Sequence, residues 1–170
     1  MRYLTVVRHA KSSPAKPGES DFARTLNKRG REECERLREW ASDVKELGRY
    51  GPTTALVSAA ARTRETFRRA FHGTDFVAHC EFSELIYNGK RDVSAEDLLI
   101  DLAAIDPVTT SLLVVAHNPT VHEVMVALAK ELPKSLRDNY PLGGAYVLEL
   151  PDDRQVGLER YEVVASFIPV

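Results

Sequence analysis

Two hydrophobic patterns alternate along the chain: short runs of β-branched residues, and longer stretches with an apolar residue every three or four positions. Tyr3–Val7 is apolar and predicts a buried strand. From Ala10 to Thr25 the residues are rich in Ser, Pro, Lys, Gly and Asp, which predicts a long exposed loop. Asn27 is a good N-cap for a helix running to about Leu47, with Cys34, Leu37, Trp40, Ala41, Val44 and Leu47 on one face. The charged run Arg31–Glu39 within it reads as a solvated face with i,i+4 pairs such as Glu32–Arg36.

Thr54–Val57 predicts a second strand, and a helix follows through Thr63, Phe67, Ala70 and Phe71. Phe76–Cys80 reads as a third, short strand. Ser94 with Asp97 has the capping-box spacing and opens a helix carrying Leu98, Leu99, Leu102 and Ile105, which Pro107 stops. Ser111–Ala116 contains Leu-Leu-Val-Val and is the clearest buried strand. Asn118 then reads as an N-cap with Pro119 at the first helical position. Val121, Val124, Met125, Leu128, Ala129 and Leu132 line that helix, and Pro133 ends it. Gly144–Leu150 and Tyr161–Ile168 predict closing strands joined through Pro151-Asp152-Asp153.

This alternation predicts a three-layer α/β/α domain, with a mostly parallel sheet and an antiparallel edge. At 170 residues, a single domain spanning 1–170 is expected. Hydrophobic residues at 44% and charged residues at 28% exclude a disordered chain. A net charge of −2 argues against a general nucleic-acid binder. No apolar run suits a membrane span or a signal peptide, and Cys34 and Cys80 stand far apart. A reduced, cytoplasmic protein is therefore expected, with buried, inert thiols.

In open α/β sheets, ligands bind beyond the carboxyl ends of the strands. Arg8 and His9 follow the first predicted strand, Arg62 the second, Glu84 the third, and His117 the strand ending at Ala116. Two arginines and two histidines on one rim suit a phosphate: guanidinium forks grip oxygens, and imidazole serves as nucleophile or acid/base near neutral pH. Each residue alone has a plain structural reading, so only their joint placement carries the argument. His72, His79 and His122 read as structural or surface residues. The His117/His122 spacing lacks the order of a zinc-binding HExxH, and no nucleotide-binding glycine loop is present.

Val7-Arg8-His9-Ala10 resembles the Arg-His-Gly/Ala signature of the histidine phosphatase superfamily, and Lys11-Ser12 continues as in its short bacterial, SixA-type branch. Asp21-Phe22-Ala23-Arg24-Thr25-Leu26 is similar to the branch's Asp-x-x-Arg-Pro-Leu, with Thr25 in place of the proline. Ser58 through Thr66 matches Ser-x-Ala-x-Arg-Thr-x-Glu-Thr, and Val115-Ala116-His117-Asn118-Pro119 matches the second histidine motif. Four motifs in the right order span residues 1 to about 130.

The resemblance implies a phosphoglycerate mutase-like fold and a phosphatase that needs no metal or other cofactor. It implies that His9 is the nucleophile, forming a phosphohistidine, while Arg8, Arg62 and His117 hold the phosphoryl oxygens. His9 must then be neutral, and His117 charged or a hydrogen-bond donor in the complex. Glu84 matches the family's Glu-Leu-Tyr region and is the candidate general acid. The implied partner is a phosphohistidine protein, with a small phosphomonoester as the alternative substrate. A phosphate- or phosphoprotein-binding module without turnover is the competing class.

Overall fold

The strands are β1 (Arg2–Arg8), β2 (Thr53–Ser58), β3 (Val77–Ser83), β4 (Ser111–Ala116), β5 (Ala145–Leu150) and β6 (Val163–Phe167). The helices are α1 (Lys28–Ser42), α2 (Ala61–Ala70), α3 (Ala95–Ala104) and α4 (Thr120–Leu128). They belong to a computed structural model that describes residues 2–87, 93–104, 111–151 and 159–169. The strands form one sheet in the order β3-β2-β4-β1-β5-β6. β1, β2, β3 and β4 pair in parallel, whereas β5 runs antiparallel to β1 and β6 antiparallel to β5. The expected mostly parallel sheet with an antiparallel edge is therefore the observed one.

The central strands carry apolar residues on both faces because both faces are covered. On one side Leu4, Val6, Leu112 and Val114 pack against Leu98, Leu99 and Leu102 of α3 and Val121, Val124 and Leu128 of α4. On the other, Val7, Val57, Leu113 and Val115 meet Cys34, Leu37 and Trp40 of α1 and Phe67, Ala70 and Phe71 of α2. Each fully buried leucine or phenylalanine contributes about 1.5–3 kcal/mol.

Local signals explain most boundaries. Asn27 caps α1 through its side chain, which accepts from Gly30 N at 2.9 Å. Ser94 and Asp97 form the reciprocal capping box, Ser94 Oγ accepting from Asp97 N and Asp97 Oδ2 from Ser94 N. Ile105, Pro107, Asp152 and Asp153, invoked above as helix stop and strand link, lie outside the described residues.

Several expectations are corrected. α1 ends at Ser42, not near Leu47, because Asp43 turns the chain and its carbonyl accepts from Glu46 N and Gly48 N. Val44 is consequently 73% exposed, while Leu47 is buried from a separate 3₁₀ turn, Leu47–Tyr50. β3 is found as expected but runs past Cys80 to Ser83, because an edge strand leaves much of its surface to solvent and tolerates polar residues such as Glu81. The cap of α4 is Pro119, not Asn118, whose side chain donates to Asn139 Oδ1 instead. α4 stops at Leu128 because Tyr161 N takes the Leu128 carbonyl and Ala129 bridges Tyr161. The segment from Ala10 to Thr25 is also not simply exposed: Ala10 and Ser12 are buried, and Ser12 bridges Leu26.

Candidate functional site

β1, β2 and β4 point their carboxyl ends to the same rim, and the site is assembled there. Arg8 is the last residue of β1, paired in register with Ala116 at the end of β4. His9 follows at once, its N–H donating to Ala116 O at 3.1 Å and its carbonyl accepting from Gly143 N. His117 follows Ala116, and the two imidazole rings lie 5.4 Å apart between centroids. Ser58 ends β2, and its hydroxyl lies 2.7 Å from His117 Nε2. Arg62 sits in the first turn of α2, where Thr63 Oγ1 lies 2.6 Å from Ser58 O and fastens helix to strand. The structure thus brings Arg8, His9, Arg62 and His117 together at one place.

The protonation of His9 follows from geometry. Its Nδ1 lies 2.7 Å from Ala10 O, and a carbonyl only accepts, so Nδ1 carries the hydrogen in the neutral ring. The lone pair is then on Nε2. His9 is 8% exposed, and burial pulls its pKa down to about 3, with Arg62, Arg8 and Arg24 adding to the depression against the Ala10 bond. Burial likewise pulls His117 down to about 2, with His9 and Arg62 contributing. At that pKa His117 is neutral, which leaves it one ring N–H to donate. Its Nδ1 is buried with no hydrogen-bond partner among the described residues, as is Arg8 Nε. If Ser58 donates to Nε2, Nδ1–H of His117 is left to donate to an anion.

Both arginines are held by protein oxygens. Arg8 Nη1 donates to Tyr140 O at 2.7 Å. Arg62 Nη1 donates to Asp21 O at 2.9 Å, and Nη2 lies 3.2 Å from Asp21 Oδ2. Tyr87 Oη donates to the same carboxylate oxygen at 2.6 Å, and its ring stacks edge-on to His117 with centroids 5.7 Å apart. Burial raises the Asp21 carboxyl, but the Tyr87, Arg24 and Arg62 contacts outweigh it and bring the pKa down to about 2. Asp21 is thus an ionised partner for Arg62 and cannot donate a proton in this arrangement.

Glu84 lies in the turn after β3, exposed, its backbone carbonyl accepting from Tyr87 N. The side chain from this turn that reaches Arg62 and His117 is Tyr87. Residue-by-residue reading missed Asp21, Ser58 and Tyr87 as site members. Asp21 and Ser58 lie inside motifs already quoted and Tyr87 closes the stretch likened to the Glu-Leu-Tyr region, but nothing in their spacing assigned them a contact.

The platform beneath the site uses buried carboxylates. Glu33 is 1% exposed, so the Arg31–Glu39 run is not wholly a solvated face; its Oε2 accepts from Lys11 N at 2.9 Å. Glu65 Oε2 accepts from Leu26 N, and Thr66 Oγ1 accepts from Ala10 N. His122 is half-buried with Nε2 2.6 Å from Leu136 O, rather than a free surface residue. Among the described residues no cluster of histidine, cysteine and carboxylate could hold a metal ion, and no helix is long and apolar enough to cross a membrane.

No family model matches the chain. An uncharacterized protein of Mycobacterium leprae is 30% identical over 173 residues, covering 96% of this chain and 99% of that one. A solved structure from Agrobacterium tumefaciens, provisionally named phosphohistidine phosphatase SixA, is 28% identical, with 99% of each chain covered and a TM-score of 0.77. The protein histidine phosphatase SixA solved with tungstate shares the fold at 17% identity and a TM-score of 0.73, with 98% of this chain and 97% of that one covered. Sequence relatedness over nearly the whole chain, the shared fold, and the two arginines and two histidines on one rim place the chain in the histidine phosphatase superfamily, to which it belongs.

Proposed function

We propose that this protein is a metal-independent phosphatase that works through a phosphohistidine on His9, and that its substrate is a protein phosphorylated on histidine. The observation that carries the reading is the Nδ1–H···O=C bond of His9, which leaves a neutral Nε2 lone pair among Arg8, Arg62 and His117. In the first step Nε2 attacks phosphorus, the Nε2–P bond forms, and the bond from phosphorus to the leaving group breaks. Arg8 and Arg62 balance the negative charge on the phosphoryl oxygens, and His117 donates to one of them. Water then attacks phospho-His9, releasing inorganic phosphate and restoring the lone pair.

With a phosphohistidine substrate the leaving group is an imidazole, which takes a proton readily near neutral pH. An alkoxide leaving group needs a proton from an acid, and Glu84 is the proposed donor. The likeness to the short SixA-type branch and the name of the Agrobacterium protein support the phosphohistidine reading over the small phosphomonoester.

The test is phosphate release in the presence of a chelator, by wild type and His9→Ala, from a phosphohistidine protein and from a panel of phosphomonoesters. Turnover of the phosphohistidine protein that survives chelation and vanishes in His9→Ala is expected. Turnover of small esters alone would shift the substrate to the monoester class. Binding of phosphoprotein without any phosphate release would leave a binding module.

A further inference from the structure

α2 leads away from the phosphate site, and a second, different surface lies along it. Arg64, Phe67, Arg68 and His72 of α2 and its C-terminal turn face Cys80 and Phe82 of β3 across a groove of about 300 Å³. Phe67 forms the buried floor, whereas Phe82 is 52% exposed. The Arg64 guanidinium lies over the Phe82 ring, 5.2 Å from its centroid. Arg64, Arg68 and His72 are all exposed.

The charge on this groove is not neutralised from within. Arg64 and Arg68 enter no ion pair among the described residues. The neighbouring arginines are treated differently: Arg69 and Arg31 both pair with Glu65. Glu81, on the opposite face of β3, lies beside His79. An apolar groove flanked by unpaired guanidinium groups complements an acidic segment that carries an apolar side chain. β3 is also the edge strand of the sheet, so nothing in the sheet itself covers this side.

Position ties the groove to the phosphate site. Arg62 and Arg68 belong to one helix, six residues apart, which is about 9 Å along the axis at roughly 1.5 Å per residue. β3 runs beside α2 and ends at Ser83, from which the chain turns to Tyr87 over Arg62. A phosphorylated side chain in the site and contacts on the groove can therefore belong to one protein surface. A small phosphomonoester is too short to span both.

We infer that the groove between α2 and β3 is a docking surface for the phosphoprotein substrate, and that it takes an acidic segment bearing an apolar residue. This rests on the phosphohistidine-protein reading and deepens it. The docking contacts lower KM for a protein and contribute nothing to a phosphoryl group presented on a free amino acid.

The experiment compares wild type with Arg64→Glu/Arg68→Glu and with Phe82→Ser. The substrates are an acidic protein phosphorylated on histidine with phosphoramidate, and free phosphohistidine. The double charge reversal should lower kcat/KM on the phosphoprotein by roughly tenfold or more, through KM, and leave free phosphohistidine within about twofold. Phe82→Ser should act in the same direction. High salt should bring wild type down toward the charge-reversed variant, since exposed charges are screened.

Affinity for the same phosphoprotein is measured in parallel, with His9→Ala present in both proteins, with and without the charge reversal. Loss of affinity on charge reversal supports the docking surface even without turnover, and in that case the missing turnover overturns the phosphatase reading alone. Unchanged affinity, or an equal fall on both substrates, overturns the docking surface.

Discussion

A neutral imidazole whose Nδ1–H is committed to a carbonyl offers one lone pair, and at His9 that lone pair is on Nε2. Nitrogen-resolved NMR should show His9 as the neutral Nδ1–H tautomer from pH 8 down to pH 5, because its pKa lies at about 3. A titration midpoint near 6.5, the value of an unperturbed imidazole, would contradict the buried, arginine-flanked setting. Glu84 gives a second test at this scale. Glu84→Gln should slow release from an alkyl phosphomonoester by about 10²-fold, the usual contribution of a general acid, and leave phosphohistidine turnover nearly unchanged. Equal loss on both substrates would mean that Glu84 acts on something other than the leaving group.

At the level of elements, the segment between β1 and α1 is positioned by helix side chains rather than by a sheet. Glu33 of α1 holds Lys11 N, Glu65 of α2 holds Leu26 N, and Thr66 of α2 holds Ala10 N. Gly30, in the first turn of α1, lies directly against this segment. A Cβ there would stand 2.1 Å from Lys11 O, and that backbone is already fixed by Asn27 N and Glu33. Gly30→Ala should therefore destabilise the protein by about 2–4 kcal/mol and lower kcat by displacing the backbone next to His9. Chemical denaturation and turnover on one preparation check both effects; an unaltered midpoint would show that the contact yields freely.

For the whole molecule, the two buried histidines make stability depend on acid. Their folded pKa values, about 3 and about 2, lie below the ordinary 6.5, so the unfolded chain binds more protons between those limits. Stability is then full above about pH 6.5 and falls as the pH drops toward 3. The loss should be on the order of 2 kcal/mol per histidine between pH 7 and pH 5. Denaturant midpoints at the two pH values measure it, and His9→Asn should flatten the dependence. A stability that rises on acidification would refute the sign.

The periodicity of apolar residues was enough to identify strands, helices and their order, because burial on two faces of β1, β2 and β4 leaves continuous β-branched runs. The same logic placed Arg8, His9, Arg62 and His117 on one rim, since residues just past parallel strands share an end of the sheet. It fell short at the far end of β3, where an edge strand need not be apolar, and at the ends of α1 and α4. There Asp43 and Tyr161 stop α1 and α4 by taking or supplying backbone hydrogen bonds that no periodicity encodes. Asp21 behind Arg62, Ser58 on His117, and the buried Glu33 could be assigned only in three dimensions. Each joins segments distant in the chain, and a polar side chain reads the same in sequence whether it meets water or a buried donor. Residue types and strand order follow from composition along one dimension; protonation, orientation and the groove beside α2 depend on which groups the fold brings within bonding distance.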